Sequence, residues 1–272
     1  MNKIMDASDV VAAIDDGYAA TPAQTPRDYI GASIVGEDCL ARLSFSLRAF
    51  PQDKPPPQLQ RIFAFGHMLE DFVVRDLKKK ADVRVWENDG LTGKQHAYSE
   101  LGGHIVCHMD GHIEMDDGVV RVLEIKSMND ASFKKFLKSG VKISHPRYYA
   151  QVQMMMAMAN MSETLFIAIN KNNSAYHAEI VERDDLEVAF LKQKISSVLN
   201  GDAEKVSNDP LDWRCKGCFH RSVCWEGLEH KTCTGCAHAQ PNDKGLWTCA
   251  KTGDEAVDVC DMFEKFRPKE KQ

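Results

Sequence analysis

Apolar residues in RIFAFGHMLEDFVVRDLKKK (61–80) recur at three- and four-residue intervals, which predicts an amphipathic helix. At about 100° per residue, Ile62, Phe65, Leu69, Phe72, Val73 and Leu77 share one broad face. The stretch before it, PQDKPPPQ (51–58), predicts a loop, because closely spaced prolines hold neither a helix nor a central strand. Further on the period falls to two. GGHIVCHMDGHIEM and VVRVLEIKSM flank DDG and predict a β-hairpin. ASFKKFLKSGVK predicts a short basic helix or loop, and YYAQVQMMMAM (148–158) a buried helix. Pro146 suits that helix's first turn, with Ser144 as a candidate cap. TLFIAIN and SAYHAEIVE, joined by KNN, predict two more strands, and DDLEVAFLKQKISSVLN another helix. GDAEKVSNDPLD predicts a polar linker before a cysteine-rich segment. Interleaved helices and strands imply an α/β or α+β main body, without repeats or low-complexity tracts.

Several polar residues break this pattern. Glu70 falls inside the apolar arc of its helix, where a carboxylate needs water, a partner or a metal. Gln151 and Gln153 stand among methionines, and a buried glutamine needs hydrogen-bond partners. Gln151 groups with Tyr148, Met155 and Met158 on one helix face. In the hairpin, Glu124 and Lys126 point to one side. A three-residue turn, Asp116 to Gly118, pairs Met115 with Val119 and sets Asp110 opposite Glu124. A two-residue turn would turn Asp110 to the other face. Facing carboxylates repel unless a cation lies between them. Asp110, Glu124 and Lys126, with Glu70 upstream, are hard oxygen ligands beside an ammonium. That set suits Mg²⁺ or Mn²⁺ and metal-assisted phosphodiester hydrolysis. The plainer alternative is a solvated face on which Lys126 neutralises both acids.

Charge adds a constraint. The net charge is −6, with 43% hydrophobic and 27% charged residues, so no overall positive field draws in nucleic acid. The basic run Lys134, Lys135, Lys138, Lys142 and Arg147 contains no acid and directly follows the hairpin, so it is a candidate phosphate track for DNA. Phe133, Phe136 and Trp225 are candidates for base stacking. The N-terminus, MNKIMDASDVVAAIDDGYAA, has acids within its apolar stretch and does not resemble a secretory leader. No apolar run is long enough for a bilayer, so the expectation is a soluble, cytoplasmic protein without a membrane partner.

Of nine cysteines, Cys39 and Cys107 lie in the main body and the others cluster near the C-terminus. In a reducing compartment such a cluster reads as metal binding. Cys215, Cys218 and Cys224 form C-x2-C-x5-C, one ligand short of four. His220, His230 and Cys233 are local candidates for the fourth, and Cys39 a distant one. Cys233, Cys236, Cys249 and Cys260 form C-x2-C-x12-C-x10-C, which suits a closed structural zinc site. Cys107 reads as a small core residue.

The order of a helix with Glu70, then HMDGHIE, VLEIKSM and YYAQVQMMMAM, resembles the PD-(D/E)XK nucleases, in particular the RecB-like and phage lambda-type exonuclease branch. The likeness covers roughly residues 28–186. It implies a restriction-endonuclease-like core, a central mixed sheet flanked by helices, and a DNA exonuclease of phage or bacterial recombination or repair. Asp110, Glu124, Glu70 and the Ile125 carbonyl would hold Mg²⁺ or Mn²⁺, Lys126 would position the attacking water, and Gln151 would border the site, with Gln153 second. The departures are Glu70 where many members carry histidine, Met155 where a tyrosine follows the glutamine, and Met109 where proline precedes the aspartate. An early cysteine plus a late C-x2-C-x5-C resembles the iron–sulfur members, the CRISPR-associated adaptation nucleases and the AddB-type helicase–nuclease subunits. On that likeness Cys39, Cys215, Cys218 and Cys224 hold a [4Fe–4S] cluster. The expected layout is a nuclease core over 1–200, an iron–sulfur segment over 201–232 packing back on Cys39, and a zinc module over 233–272. The rival expectations are a catalytically silent DNA-end-binding module of a recombination or helicase assembly, and a zinc-dependent interaction protein.

Overall fold

The structure, a computed structural model, describes residues 6–272. The reading of the N-terminus as lacking a leader falls partly on residues 1–5, outside the described residues. In chain order the elements are α1 (Ala7–Ala20), β1 (Ile30–Gly31), α2 (Leu40–Leu47), α3 (Pro57–Lys79), β2 (Arg84–Trp86), β3 (Ala97–Glu100), β4 (Ile105–His108) and β5 (Gly111–Glu114). There follow β6 (Val120–Met128), α4 (Asp130–Ser144), α5 (Pro146–Ala159), β7 (Glu163–Asn170), β8 (Tyr176–Glu182), α6 (Asp185–Leu199), α7 (Trp213–Lys216), α8 (Arg221–Trp225), β9 (Ala239–Pro241) and β10 (Trp247–Cys249).

The central sheet has the order β2-β5-β6-β7-β8. It is mixed. β5 and β6 form an antiparallel hairpin, β6 runs parallel to β7 through the α4–α5 crossover, and β8 returns antiparallel to β7. Alternation divides β6 between two cores. Leu123 and Ile125 pack with Val73 and Val74 of α3, while Val122 and Met128 pack with Val152, Met154, Met155 and Met156 of α5. The hydrophobic transfer of each such fully buried side chain stabilises the fold by about 1.5–3 kcal/mol. Helices on one side and the other of a mixed sheet match the expected α/β core.

Four local expectations differ. The segment GGHIVCHMDGHIEM is not one strand: it breaks at Met109–Asp110 into β4 and β5, which belong to different sheets. Pro57 opens α3 instead of ending the loop, because a proline at the first helical position lacks only an N–H that would be unpaired anyway. The apolar face of α3 is not uniformly buried. Val73 and Val74 are covered, whereas Ile62, Phe65 and Phe72 are exposed, so the stripe that the sheet covers is narrower than the apolar arc. Ser144 does not cap α5; its hydroxyl donates to the Gly140 carbonyl at 2.5 Å inside α4.

Residues beyond α6 are joined to the body by buried contacts. Cys236, Ala239, Trp247 and Ala256 belong to the same core as α5 and α6. Arg48, only 5% exposed, donates to the carbonyls of Thr234 (2.8 Å), Cys236 (3.0 Å) and Ala239 (3.1 Å). Its guanidinium also lies 4.0 Å from the Phe266 ring centroid. Burial pulls the Arg48 pKa down to about 10, against the raising effect of Cys236. No sequence period marks this staple. No helix among the described residues is long and apolar enough to cross a membrane.

Candidate active site

The hairpin turn sets the geometry. Gly118 has φ +73°, its N–H bonds to the Met115 carbonyl at 2.9 Å, and Glu114 pairs with Val120 and Gly111 with Leu123. This is the register of the three-residue turn. It brings Asp110, at the break between β4 and β5, level with Glu124. The Asp110 Oδ2 accepts the Ile125 N–H at 2.7 Å, which holds the carboxylate at the sheet's end.

Glu124 is 1% exposed. Its Oε1 accepts from Gln151 Nε2 at 2.8 Å and is ion-paired with Lys126. Its Oε2 is buried without a partner. Lys126 is one-fifth exposed and its Nζ lies 5.3 Å from the Tyr148 ring centroid. Glu70 of α3 pairs with His67 at 3.1 Å and contacts none of these residues directly, but its charge is felt by both Asp110 and Glu124. Burial pushes Asp110 up to about 8, with the Glu124 charge adding to it. Burial also raises Glu124, with Glu70 adding, against the lowering effects of Lys126 and Gln151. Burial alone would lower Lys126, but Glu124 and Asp110 overcome it and hold the ammonium above its ordinary value. Two acids that resist ionising and a buried carboxylate oxygen without a partner fit a cation-binding site of hard ligands. Among the described residues, no three His, Cys, Asp or Glu side chains are already gathered in an arrangement that holds a metal ion.

The two glutamines separate. Gln151 reaches Glu124, while Gln153 is a brace: its Nε2 donates to the Glu182 carbonyl at 2.9 Å and its Oε1 accepts the Asp184 N–H at 2.7 Å. In the basic run, Lys135 and Lys138 are exposed on α4. Lys134 pairs with Asp130 (2.7 Å), Lys142 with Asp184 (2.9 Å) and Arg147 with Glu37 (2.9 Å). Phe133 and Phe136 are buried core residues, so neither offers a face to a base. Trp225 is half-buried beneath Lys205, whose Nζ lies 4.0 Å from the ring centroid.

Cys39, Cys215, Cys218 and Cys224 line one cleft, together with Arg42, Arg147, Lys205, Arg214 and Arg221. Burial raises the thiols of Cys215 and Cys218 and pushes Cys224 up to about 12, and Cys39 adds to each. Thiols held protonated by burial ionise when a metal takes the proton's place, and the surrounding cations suit a negatively charged thiolate cluster. Of the local alternatives, His230 packs on Phe50 (4.9 Å) and Cys233 lines a different cleft, while His220 packs on Phe45 (5.6 Å) beside the cleft of Cys39, with both ring nitrogens buried and without a partner. That second cleft holds Cys233, Cys236, Cys249 and Cys260 with His238. Burial raises Cys233, whereas backbone N–H groups of Lys251 and Thr252 lower Cys249 towards the thiolate that a metal needs. Cys107 is 1% exposed and burial pushes its thiol up to about 11, as befits an inert core residue.

A family model described as YqaJ-like viral recombinase domain matches residues 3–162. The matched span contains Cys39, Glu70, Asp110, Glu124, Lys126 and Gln151 and ends before Cys215. No curated protein matches the chain. Among solved structures, LHK-Exo in complex with dAMP is similar at a TM-score of 0.46 and 20% identity, over 64% of this chain and 87% of that one. The alkaline exonuclease LHK-Exo from Laribacter hongkongensis is similar at 0.46 and 20%, over 68% and 90%. SSO0001 is similar at 0.45 and 14%, over 84% and 100%.

Proposed function

The chain belongs to the YqaJ-like viral recombinase domain family, and on that premise we propose that it is a divalent-metal-dependent DNA exonuclease of phage-type recombination. The observation that carries the reading is Glu124, held through Oε1 by Gln151 and Lys126 and left with a buried Oε2 that lacks a partner, with Asp110 bonded to the N–H of the next residue, Ile125. Asp110, Glu124, Glu70 and the Ile125 carbonyl would hold Mg²⁺ or Mn²⁺. The ion, when bound, supplies Lewis-acid polarisation of the scissile phosphate and neutralises charge there. Lys126 keeps its proton at Nζ and orients the attacking water or a non-bridging phosphate oxygen. Gln151 fixes the Glu124 carboxylate through Oε1 and leaves Oε2 for the cation. Lys134, Lys135 and Lys138 on α4 would bear on the DNA backbone, while Lys142 and Arg147 also serve as internal ion-pair partners.

The first cysteine cleft would hold a [4Fe–4S] cluster through Cys39, Cys215, Cys218 and Cys224, a set supported by the shared cleft and its cations. The second would hold Zn²⁺ through Cys233, Cys236, Cys249 and Cys260. Both groups are structural in this reading, in a protein of the bacterial or phage-infected cytoplasm that acts beside a recombination or helicase partner.

The deciding experiment uses full-length protein purified without oxygen, end-labelled linear DNA and covalently closed circles. Loss of linear DNA with Mg²⁺ or Mn²⁺, with circles intact and EDTA blocking the reaction, is the expected result. Tight DNA-end binding with no cleavage under any metal condition would instead make the chain a silent end-binding module.

A further inference from the structure

The loop before Cys39 carries a buried acid that this chemistry does not use. Glu37 is 7% exposed and lines the first cysteine cleft two residues before Cys39. Its Oε1 accepts from Arg42 Nη1 at 2.7 Å and from Arg147 Nη1 at 3.0 Å, and its Oε2 is 2.9 Å from Arg147 Nη2. The two arginines come from different places. Arg42 is in the first turn of α2 and lines the cysteine cleft, and Arg147 is in the first turn of α5. That end of α5 has neither a side-chain cap nor an acid in its first turn, and a helix N-terminus favours a nearby negative charge. Gly36 brings the loop hard against the helix: a Cβ there would lie 2.9 Å from the Arg147 Cα and 3.0 Å from the Ala150 Cβ. Ala150 is followed by Gln151, which contacts Glu124.

We propose that Glu37 is a positioning residue that ties the place of Cys39 to the seating of α5, so that the cysteine cleft sets how Gln151 meets Glu124. This rests on the nuclease reading and on the part that Gln151 plays in it. A carboxylate gripped by both terminal nitrogens of Arg147 and by one of Arg42 has few alternative arrangements, so it transmits displacement instead of absorbing it. When Cys39, Cys215, Cys218 and Cys224 gather on an iron–sulfur cluster, the Glu37 loop is fixed from one side. Arg147 and the Gly36 contact carry that constraint into the first turns of α5. Loss of the tie leaves Gln151 in place on average but loosely held, and small misplacements near a reacting phosphate cost rate.

Two measurements test this. The first is amide hydrogen exchange over residues 148–156, which needs no activity. Removing iron from the wild-type protein with a chelator should speed exchange there about tenfold. Glu37→Gln, at full iron content, should already exchange fast and gain little on iron removal. Equal acceleration by iron removal in both proteins overturns the coupling. The second is turnover on end-labelled linear DNA at equal iron per chain. Glu37→Gln should lower kcat about tenfold with KM nearly unchanged, and add no further loss in a Gln151→Ala background. A full multiplicative loss in the double variant shows that Glu37 acts elsewhere. If Glu37→Gln does not fold, Arg147→Met cuts the same tie from the helix side, leaves Glu37 paired with Arg42, and carries the exchange measurement, which is independent of the place of Arg147 in the basic run. A wild-type protein that cleaves no DNA sinks the nuclease reading, while the exchange experiment still decides the coupling.

Discussion

The carboxylate site and the cysteine-rich tail are built by opposite means. Glu124 and Lys126 stand on β6, which is hydrogen-bonded on both sides, and Asp110 sits just before its neighbour β5, so the ladder itself sets their spacing. The tail from Trp213 onward has a four-residue helix, a five-residue helix and one pair of three-residue strands to hold its shape. Its thiols line clefts between loops. The first region can lose its chemistry and keep its fold, because the register does not depend on the acids. The second has little ladder to fall back on, so in the proposed reading ligation of its thiols would supply folding energy. A variant in the carboxylate site should therefore spare the tail, and a variant in the tail should act first on stability and reach catalysis only through the seating of α5.

The largest effect expected is on catalysis alone. Asp110→Ala, Glu124→Ala and Lys126→Ala should each reduce metal-dependent cleavage of linear DNA by about 10³-fold or more. Iron content should hold for Asp110→Ala and Lys126→Ala, and melting temperature should fall only by what the stranded Ile125 N–H or the unpaired Glu124 costs. Wild-type rates in all three would place the reaction elsewhere in the molecule.

Cys39→Ser should do the reverse. It removes the thiol that lines the first cleft with Cys215, Cys218 and Cys224 and would join the N-terminal part of the chain to them through the proposed cluster. Closing so long a loop restricts the unfolded chain strongly. The variant should lose the brown absorbance of the cluster and melt about 5–15 °C lower, with zinc per chain unchanged. Retained colour would mean that Cys39 is no ligand, and unchanged melting that the tail needs no clasp.

What the sequence disclosed follows the same divide. The hairpin register was legible because strand alternation and the turn length together leave one solution, and Gly118 supplies the left-handed residue that the turn requires. The break at Met109–Asp110 was not legible, since both halves alternate without interruption and only the second sheet separates them. The apolar arc of α3 misled for a related reason: periodicity shows which residues share a face, not how far the covering sheet extends. Glu37 and Arg48 left no trace at all. Each is a charged residue buried by partners more than a hundred positions away, and no local window contains that information.

A finer separation lies within α5, between two glutamines one residue apart in alternation. Gln151→Ala should slow turnover about 10- to 100-fold with little loss of stability, because it removes a contact to a reacting group's ligand. Gln153→Ala should destabilise the fold by about 1–3 kcal/mol, since it strands the Glu182 carbonyl and the Asp184 N–H, and leave kcat nearly unchanged. Urea titration and steady-state rates on the same preparations distinguish the two. An identical pattern in both variants would remove the distinction between site residue and brace.

The last effect is a slope. In metal-free protein the folded Asp110 carboxyl titrates near 8 because burial, and then the Glu124 charge, disfavour the anion. Unfolded, it titrates near its ordinary value of 3.8. Between those values the folded state binds more protons than the unfolded state, so stability falls as pH rises. The contribution is whole below the ordinary carboxylate value and is lost as pH climbs through about 8. Metal-free wild-type protein should therefore melt progressively lower from pH 5 to pH 8, and Asp110→Asn, which has no proton to lose, should show a shallower decline. Saturating Mn²⁺ should flatten the wild-type slope, because the cation favours the same anion that burial opposes, and its binding at neutral pH should release protons into a weakly buffered solution. Melting curves across that range, with and without Mn²⁺, measure the difference directly. Parallel slopes for wild type and Asp110→Asn would mean that Asp110 already ionises at low pH without a metal, and that this end of the sheet is no poorer a solvent for an anion than the loops of the tail.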